Sequence, residues 1–409
     1  GSSIYLQGRG KVTISKCNFT NNTAYCGGGA VYAKTQSTDL NNNRFVECSV
    51  NGKGDGDTKI GYGGAVFLNQ ELDETGADPE TENYEYVSGN IFIKCNSSSS
   101  GGAIFVYCHD EKHHKSTRGI DDENHKYVID ILSCIFTDCS SVTEGGAISS
   151  GYFFVNDEGN TILVGTNDIK VEGCTFTLCQ SGRGGALFFQ DGDKEGDEET
   201  VIDRCHFYEN YATGETHEGY AISCRSYQVT VRNCDFHDHH AGGFQIGTTT
   251  KGCIVYIETN EPEVQPYISN LEFDNINGVS GLVINVSSTI QVVISNLQFN
   301  NIQGVAPCID LDLWEAKTLV QIEDSVFTNV ISSRCVMSTL INHRIQIKLF
   351  KCQFENNSLF VINDVEGSDV IIKPYGGSVY LQGEAEAFIT QCNFTNSISI
   401  LGGGAIYAE

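Results

Sequence analysis

Twelve phenylalanines in this chain stand in one sequence context. Phe19, Phe45, Phe92, Phe136, Phe176, Phe207, Phe236, Phe273, Phe299, Phe327, Phe354 and Phe394 each follow an aliphatic residue by five positions. Those partners are Ile14, Leu40, Val87, Ile131, Val171, Ile202, Val231, Ile268, Ile294, Ile322, Leu349 and Ile389. Hydrophobic residues make up only 40% of the chain, so a match in every copy marks a repeat and not a coincidence. Two residues before the Phe the copies carry Cys, Asn, Leu or Ser. Three residues after it come Asn22, Cys48, Cys95, Cys139, Cys179 and Asn210, then Ile276, Ile302 and Val330 in later copies.

A second motif alternates with the first. Gly-Gly-Ala followed by an aliphatic recurs at Gly28, Gly63, Gly101, Gly145, Gly184 and Gly403. The shortest step between ladder phenylalanines is 26 residues, and polar insertions lengthen the others. No 3.6-residue periodicity is sustained, which argues against helical repeats. A period in the twenties with short β-branched runs and glycine corners suits a coil of three short strands. Coils stack at roughly 4.8 Å, so equivalent residues lie over one another. The expected fold is all-β: a single right-handed parallel β-helix of about twelve coils, continuous over residues 1–409, with polar loop insertions. Such a stack would measure roughly 55 Å. The phenylalanines form its core ladder, each burial stabilising by roughly 1.5–3 kcal/mol. The Gly-Gly pairs mark corners of positive φ and close backbone approach.

These motifs resemble the repeat region of chlamydial polymorphic outer-membrane proteins, which is described by paired GGAI and FxxN motifs on a β-helix. Phe19 to Asn22, Phe207 to Asn210 and Phe354 to Asn357 match FxxN, and the Gly-Gly-Ala sites match GGAI. The alternation covers residues 1–240; from about 242 to 375 the glycines fade and the Phe ladder alone persists. The resemblance implies a β-helical surface protein with a role in adhesion. The chain departs from the family in having no C-terminal β-barrel, and its sequons suggest a eukaryotic surface protein with similar repeats.

A longer repeat is superimposed. Residues 376–409 match residues 1–34 without a gap at an offset of 375, with 18 identities in 34. The two segments are read as equivalent positions of a 375-residue super-repeat. Neither looks like a polar cap, so the chain is expected to associate with itself end to end or to continue in the same polypeptide.

The charge balance narrows the partners. Fifty-two acidic against 25 basic residues leave a net charge of −27, which disfavours nucleic acid and anionic lipid. No apolar run is long enough to cross a membrane, so no membrane insertion is expected in this segment. Seventeen cysteines without a CxxC pair, together with six N-x-[ST] sequons, favour an extracellular or cell-surface location. The sequons sit at Asn18, Asn21, Asn96, Asn285, Asn356 and Asn393, and N-linked glycans are the expected modification. Asn18 and Asn393 immediately precede a ladder Phe, so alternation points them outward.

Candidate sites each have a plain structural reading. Cys308 and Cys335 lie 19 residues before Phe327 and Phe354, which places them on adjacent coils within disulfide range. Cys134, Cys174, Cys205 and Cys234 share an internal column, where thiols can pair or stay reduced. Acidic loops at 70–85, 109–125 and 190–199 are expected to emerge along one side. Asp191, Asp193, Glu195 and Asp197 alternate as Ca²⁺ ligands do, but Ile202 stands where a closing Glu belongs, and a solvated loop is preferred. Two histidine groups, His237-Asp238-His239-His240 and His109 with His113 and His114, invite a metal; His239 reads better as a stacked, hydrogen-bonded residue. No metal or cofactor is therefore assigned. A carbohydrate-active β-helix enzyme would need paired carboxylates on the solenoid face, and Asp310 with Asp312, beside Trp314, come nearest.

The expected function is thus non-catalytic: a segment of a long glycosylated surface or fibre-forming repeat protein. A cell-surface adhesin with a receptor is the first alternative. A β-helix polysaccharide lyase or hydrolase is the second.

Overall fold

The computed structural model describes residues 3–52, 61–69, 84–107, 128–155, 161–164, 168–190 and 199–205 of one compact unit, Gly1–Cys205. In the second unit, His206–Glu409, it describes 206–214, 219–225, 228–239, 252–259, 266–277, 280–286, 291–304, 307–313, 319–332, 336–341, 345–359, 377–382, 385–399 and 403–408. The described residues contain strands and no helix.

Within each unit the strands stack in parallel, each on its equivalent one repeat later, as a parallel β-helix requires. In the first unit the Phe-bearing strands Asn18–Thr20, Arg44–Val46, Ile91–Ile93, Ile135–Thr137 and Thr175–Thr177 pair with Phe opposite Phe throughout. The aliphatic file runs beside them, Ile14 opposite Leu40, then Val87, Ile131, Val171 and Ile202. In the second unit Phe207, Phe236, Phe273, Phe299, Phe327, Phe354 and Phe394 form the same unbroken register. One departure from the parallel order is the strand Ile148–Val155, whose far half folds into an antiparallel hairpin with Thr161–Val164.

In-register pairing dictates the ring geometry. Stacked rings of the first unit lie 4.8–4.9 Å apart with planes within 6°. Those of the second lie 4.5–5.2 Å apart within 11°. This is the strand spacing itself, so near-parallel rings must slip sideways, which is the offset stack that aromatic quadrupoles favour. Phe45, Phe92, Phe136, Phe176, Phe207, Phe236 and Phe273 are wholly buried.

The Gly-Gly corners serve two separate needs. The first glycine takes positive φ, 57° at Gly28, 65° at Gly63, 68° at Gly101 and 62° at Gly145. The second needs room: a Cβ on Gly102 would sit 1.9 Å from the Gly146 carbonyl oxygen, and one on Gly146 would sit 2.0 Å from that of Gly185.

Two further corners carry no glycine signature. In every copy the residue three before the ladder Phe and the residue two after it have φ between 50° and 63°. Most are not glycine, and each such residue costs roughly 1–2 kcal/mol in this conformation. The hydrogen-bond ladder runs on through them, as Lys16 N–H to Asn41 O at 3.0 Å and Asn21 N–H to Val46 O at 3.0 Å.

Just after the first of these corners a side chain takes over from the backbone. Asn43 donates from Nδ2 to the Ile14 carbonyl at 2.8 Å and accepts the Cys17 N–H at 2.9 Å. Asn90 does the same one rung on, to Leu40 O at 2.7 Å and from Asn43 N–H at 2.8 Å. Cys174 repeats both contacts with sulfur, donating to Ile131 O at 3.4 Å and accepting the Cys134 N–H at 3.3 Å. Asn, Cys and Ser share this column because each offers a short donor and an acceptor together.

Two comparisons test this architecture by denaturant unfolding. Phe92→Ala should lower stability by about 3–5 kcal/mol, and Gly146→Ala by about 1–3 kcal/mol, whereas Gly10→Ala, with nothing within 4 Å of its Cβ, should leave it nearly unchanged. Asn90→Ala strands a buried carbonyl and a buried N–H and should cost about 2 kcal/mol or more, with Asn90→Cys recovering much of the loss.

Candidate interaction surface

The residues flanking each ladder Phe point the other way, so the Phe strand presents two outward columns. In the first unit these columns carry Ile91 and Ile93, Ile135 and Thr137, then Thr175 and Thr177 on successive strands. Ile135 is 43% exposed, and Leu178 at the adjoining corner is 41% exposed. Around Ile135 this face is largely β-branched, with Arg44 in register with Ile91 and with Lys94 and Asp138 exposed at its corners.

In the second unit the same columns are polar. Asp235 lies between two imidazoles, with its Oδ1 against His206 Nδ1 and its Oδ2 3.1 Å from His237 Nε2. His237 Nδ1 is 3.9 Å from Asp274 Oδ2, and the Tyr208 ring stacks on the His237 ring at 5.4 Å. Asn300 donates to the far side of Asp274 at 3.0 Å. Burial, followed by the Asp235 and Glu272 carboxylates, pushes the Tyr208 hydroxyl above its ordinary pKa. The network ties successive rungs together across the surface.

The fold separates the histidines of the run 237–240. His237 faces outward in that network, Asp238 sits at a positive-φ corner, and His239 turns inward. His239 is fully buried, with Nδ1 2.9 Å from the Asn210 carbonyl oxygen. His240, His109, His113 and His114 lie outside the described residues, as do Asp191, Asp193, Glu195 and Asp197 and most of the three acidic loops. Among the described residues no three His, Cys, Asp or Glu side chains are arranged to hold a metal ion.

Asparagine ladders edge the second unit's outward face. Asn296 Nδ2 donates to Asn270 Oδ1 at 2.6 Å, and Asn270 Nδ2 to Asn233 Oδ1 at 2.8 Å. On the other side Asn329 donates to Asn301 at 3.3 Å, Asn356 to Asn329 at 3.4 Å and Asn396 to Asn356 at 3.0 Å. All occupy the two positive-φ corners flanking the Phe strand, where Asn tolerates positive φ better than most residues. The signal N-x-x-F-x-N stands in the sequence at 270–275 and 296–301, yet it is silent in the first unit, where Lys16, Glu47, Ser133 and Leu178 hold the same corners.

The sequons fall into distinct environments. Asn18 and Asn393 are exposed on the outward face of their Phe strands, and Asn96 is exposed on a short strand. Asn21 and Asn356 are exposed at corners, and the Asn356 amide nitrogen is engaged in the ladder just described. Asn285 belongs to the strand Ser280–Val286, and its side chain lies outside the described residues.

The cysteines divide by column. Cys48, Cys95, Cys139 and Cys179 stack three residues after the Phe, each placing its sulfur 3.7–3.9 Å from the carbonyl oxygen of the preceding rung's Phe. Cys134 and Cys205, two residues before their Phe, direct their sulfurs to Val87 O and Val171 O at 3.5 Å. In the Cys134–Cys174 stack both residues are thiols, and each directs its sulfur to a backbone carbonyl of the rung before. Burial pushes the Cys95, Cys134 and Cys179 thiols well above their ordinary range, and that of Cys352 up to about 12. Cys308 is buried, and Cys335, its suggested partner, lies outside the described residues.

No acid stands in register with Asp310 or Asp312 on the adjoining strands Ser280–Val286 and Met337–Ile341. Val283 and Ser338 stand in register with the first, Asn285 and Leu340 with the second. Trp314 lies outside the described residues.

Fold and surface together define a parallel β-helix repeat protein whose repeated residues face inward. The family described as Chlamydia polymorphic membrane protein (Chlamydia_PMP) repeat matches residues 16–34. That stretch holds Phe19, Asn22 and Gly28-Gly29-Ala30, so both halves of the motif pair fall within it. Residues 16–34 are thus a repeat of the polymorphic membrane protein type. No curated protein and no solved structure matches the chain. Among the described residues no helix is long and apolar enough to cross a membrane.

Among the described cysteines, Cys17 and Cys26 are exposed and Cys392 is partly so, while the rest are buried. Alkylation of the native chain followed by peptide mapping should label Cys17 and Cys26 fast and Cys392 more slowly. Cys95, Cys134 and Cys139 should react only after unfolding.

Proposed function

We propose that the chain is a non-catalytic structural segment of an extracellular surface protein, a β-helix that holds a polar face and N-linked glycans out to solvent. The observation that carries this reading is how the repeated residues are used. Phe, aliphatic, Cys and Asn files are spent on stacking and on satisfying backbone groups, and the residues between them vary freely. A scaffold needs that division; an active site needs the reverse, fixed groups on the outside. The polymorphic membrane protein repeat at 16–34 supports a place at the cell surface. The net charge of −27 argues against nucleic acid as a partner.

Adhesion is the second reading, favoured by the Ile and Thr face around Ile135 and by the His–Asp network around Asp235. Either could meet a receptor. A polysaccharide lyase or hydrolase remains the third, with Asp310 and Asp312 the residues to examine.

Secretion of the chain from a eukaryotic host tests the first reading. Glycosidase-sensitive mass should map to Asn18, Asn96 and Asn393, with Asn21 following and Asn356 poorly occupied because its amide nitrogen is held in the ladder. A secreted chain without glycan at any of these would remove the glycoprotein reading. Saturable binding of the purified chain to cells, lost on Ile135→Asp or Asp235→Ala, would move adhesion ahead. Cleavage of any member of a polysaccharide panel, abolished by Asp310→Asn, would overturn the non-catalytic reading.

A further inference from the structure

The two ends of the super-repeat are alike in backbone and side-chain detail, not only in sequence. Ile4, Tyr5 and Leu6 pair with Val31, Tyr32 and Ala33; exactly equivalent pairs join Val379, Tyr380 and Leu381 to Ile406, Tyr407 and Ala408. Lys16 and Asn21 take φ of 56°, and Gln391 and Asn396 take 57° and 53°. Gly28 and Gly403 make the same positive-φ corner, where a Cβ would strike the carbonyl of Val31 or of Ile406. Tyr5 stacks on Tyr32, and Tyr380 on Tyr407. Even the cross-corner contact of Ser3 with Asn22 has its counterpart in Ser378 with Ser397, at 2.9 Å.

The first copy displays what covers this surface. Lys16 and Asn21 give their N–H groups to Asn41 and Val46 at 3.0 Å, and Gly29 and Ala30 give theirs to Gly64 and Ala65 at 3.1 and 2.9 Å. Phe19 lies 4.9 Å from Phe45, and Cys17 N–H is taken by Asn43 Oδ1. Phe19 is 7% exposed under that cover, whereas Phe394, packed on Phe354 behind it, is only partly buried, and Ile398 is 59% exposed.

We propose that the forward edge of residues 377–382, 385–399 and 403–408 is the docking surface for a rung of the type formed by residues 35–52 and 61–69, contributed by a following 375-residue repeat of the same polypeptide. The occupant follows from equivalence: an edge with the backbone and ladder residues of 4–33 is complementary to the segment that covers 4–33. Gln391, Asn396, Gly404 and Ala405 would then donate as Lys16, Asn21, Gly29 and Ala30 do. The junction would then be an ordinary rung boundary of the kind that joins residues 4–33 to the rung after them. This inference stands on the register of the two segments and is independent of the surface role proposed above.

A chain in which residues 35–409 follow Glu409 directly, compared with the 409-residue chain, tests it by hydrogen exchange. Amides of Gln391, Asn396, Gly404 and Ala405 should exchange at least tenfold more slowly in the tandem chain. In a control in which residues 70–409 follow Glu409, the covering rung, with the Gly64 and Ala65 acceptors, is removed and protection should be absent. Unchanged exchange in the tandem chain, or equal protection in the control, overturns the proposal. Should the tandem chain fail to fold, the source transcript read past the Glu409 codon decides. It should encode a Phe as far beyond Glu409 as Phe45 lies beyond Lys34, with an aliphatic five residues before it. Any other sequence there overturns the proposal.

Discussion

Within each unit the described ladder residues lie over their equivalents on the next rung, a strand spacing away. That single constraint explains why the sequence repeats where it does. A parallel in-register stack turns each side chain into a column, and a column is stable only if its members tolerate their own kind at 4.8 Å. Phenylalanine does so through offset stacking, aliphatics through dispersion, and asparagine and cysteine by bridging to backbone groups of the rung before. Like charges do not, and the Phe file and the aliphatic file beside it carry no acidic residue.

The columns also show how the backbone is kept satisfied while the chain turns. Residues held at positive φ turn the chain on either side of each Phe, and in the copies that carry it the Gly-Gly pair makes a further corner. Backbone bonds pass through the two corners beside the Phe, and just past the first a side chain completes the pairing where Asn43 and Asn90 stand, while Leu271 and Leu297 hold the same position in later copies. Cysteine at Cys174 is the same solution in a weaker form. Backbone chemistry thereby gives the cysteines of these two columns a role of their own.

What was legible on sequence, and what was not, follows from how many rungs share a cause. The Phe and aliphatic files were legible because every rung obeys them. The Gly-Gly corners were legible too, although their double cause was not, since close approach at Gly102 and Gly146 and torsion at Gly101 and Gly145 select the same residue. The positive-φ corners flanking the Phe strand escaped notice because Lys16, Glu47 and Leu178 give no hint of positive φ; only the Asn pairs near 270 and 296 do. The His–Asp network around Asp235 was equally hidden. Its members are separated by 29 and 37 residues, and insertions of unequal length place them in contact.

Sequence alone determined the strand type, the inward ladder, the direction of Asn18 and Asn393 and the equivalence of the two 34-residue segments. These depend on periodicity, which a linear sequence records in full. Tertiary structure alone decided which outward residues meet across rungs, that the Cys134 and Cys174 thiols serve backbone carbonyls, and that the edge at 377–382, 385–399 and 403–408 has the same form as the covered edge at 4–33. Those facts depend on register, and register is a relation between distant residues that exists only once the rungs are stacked.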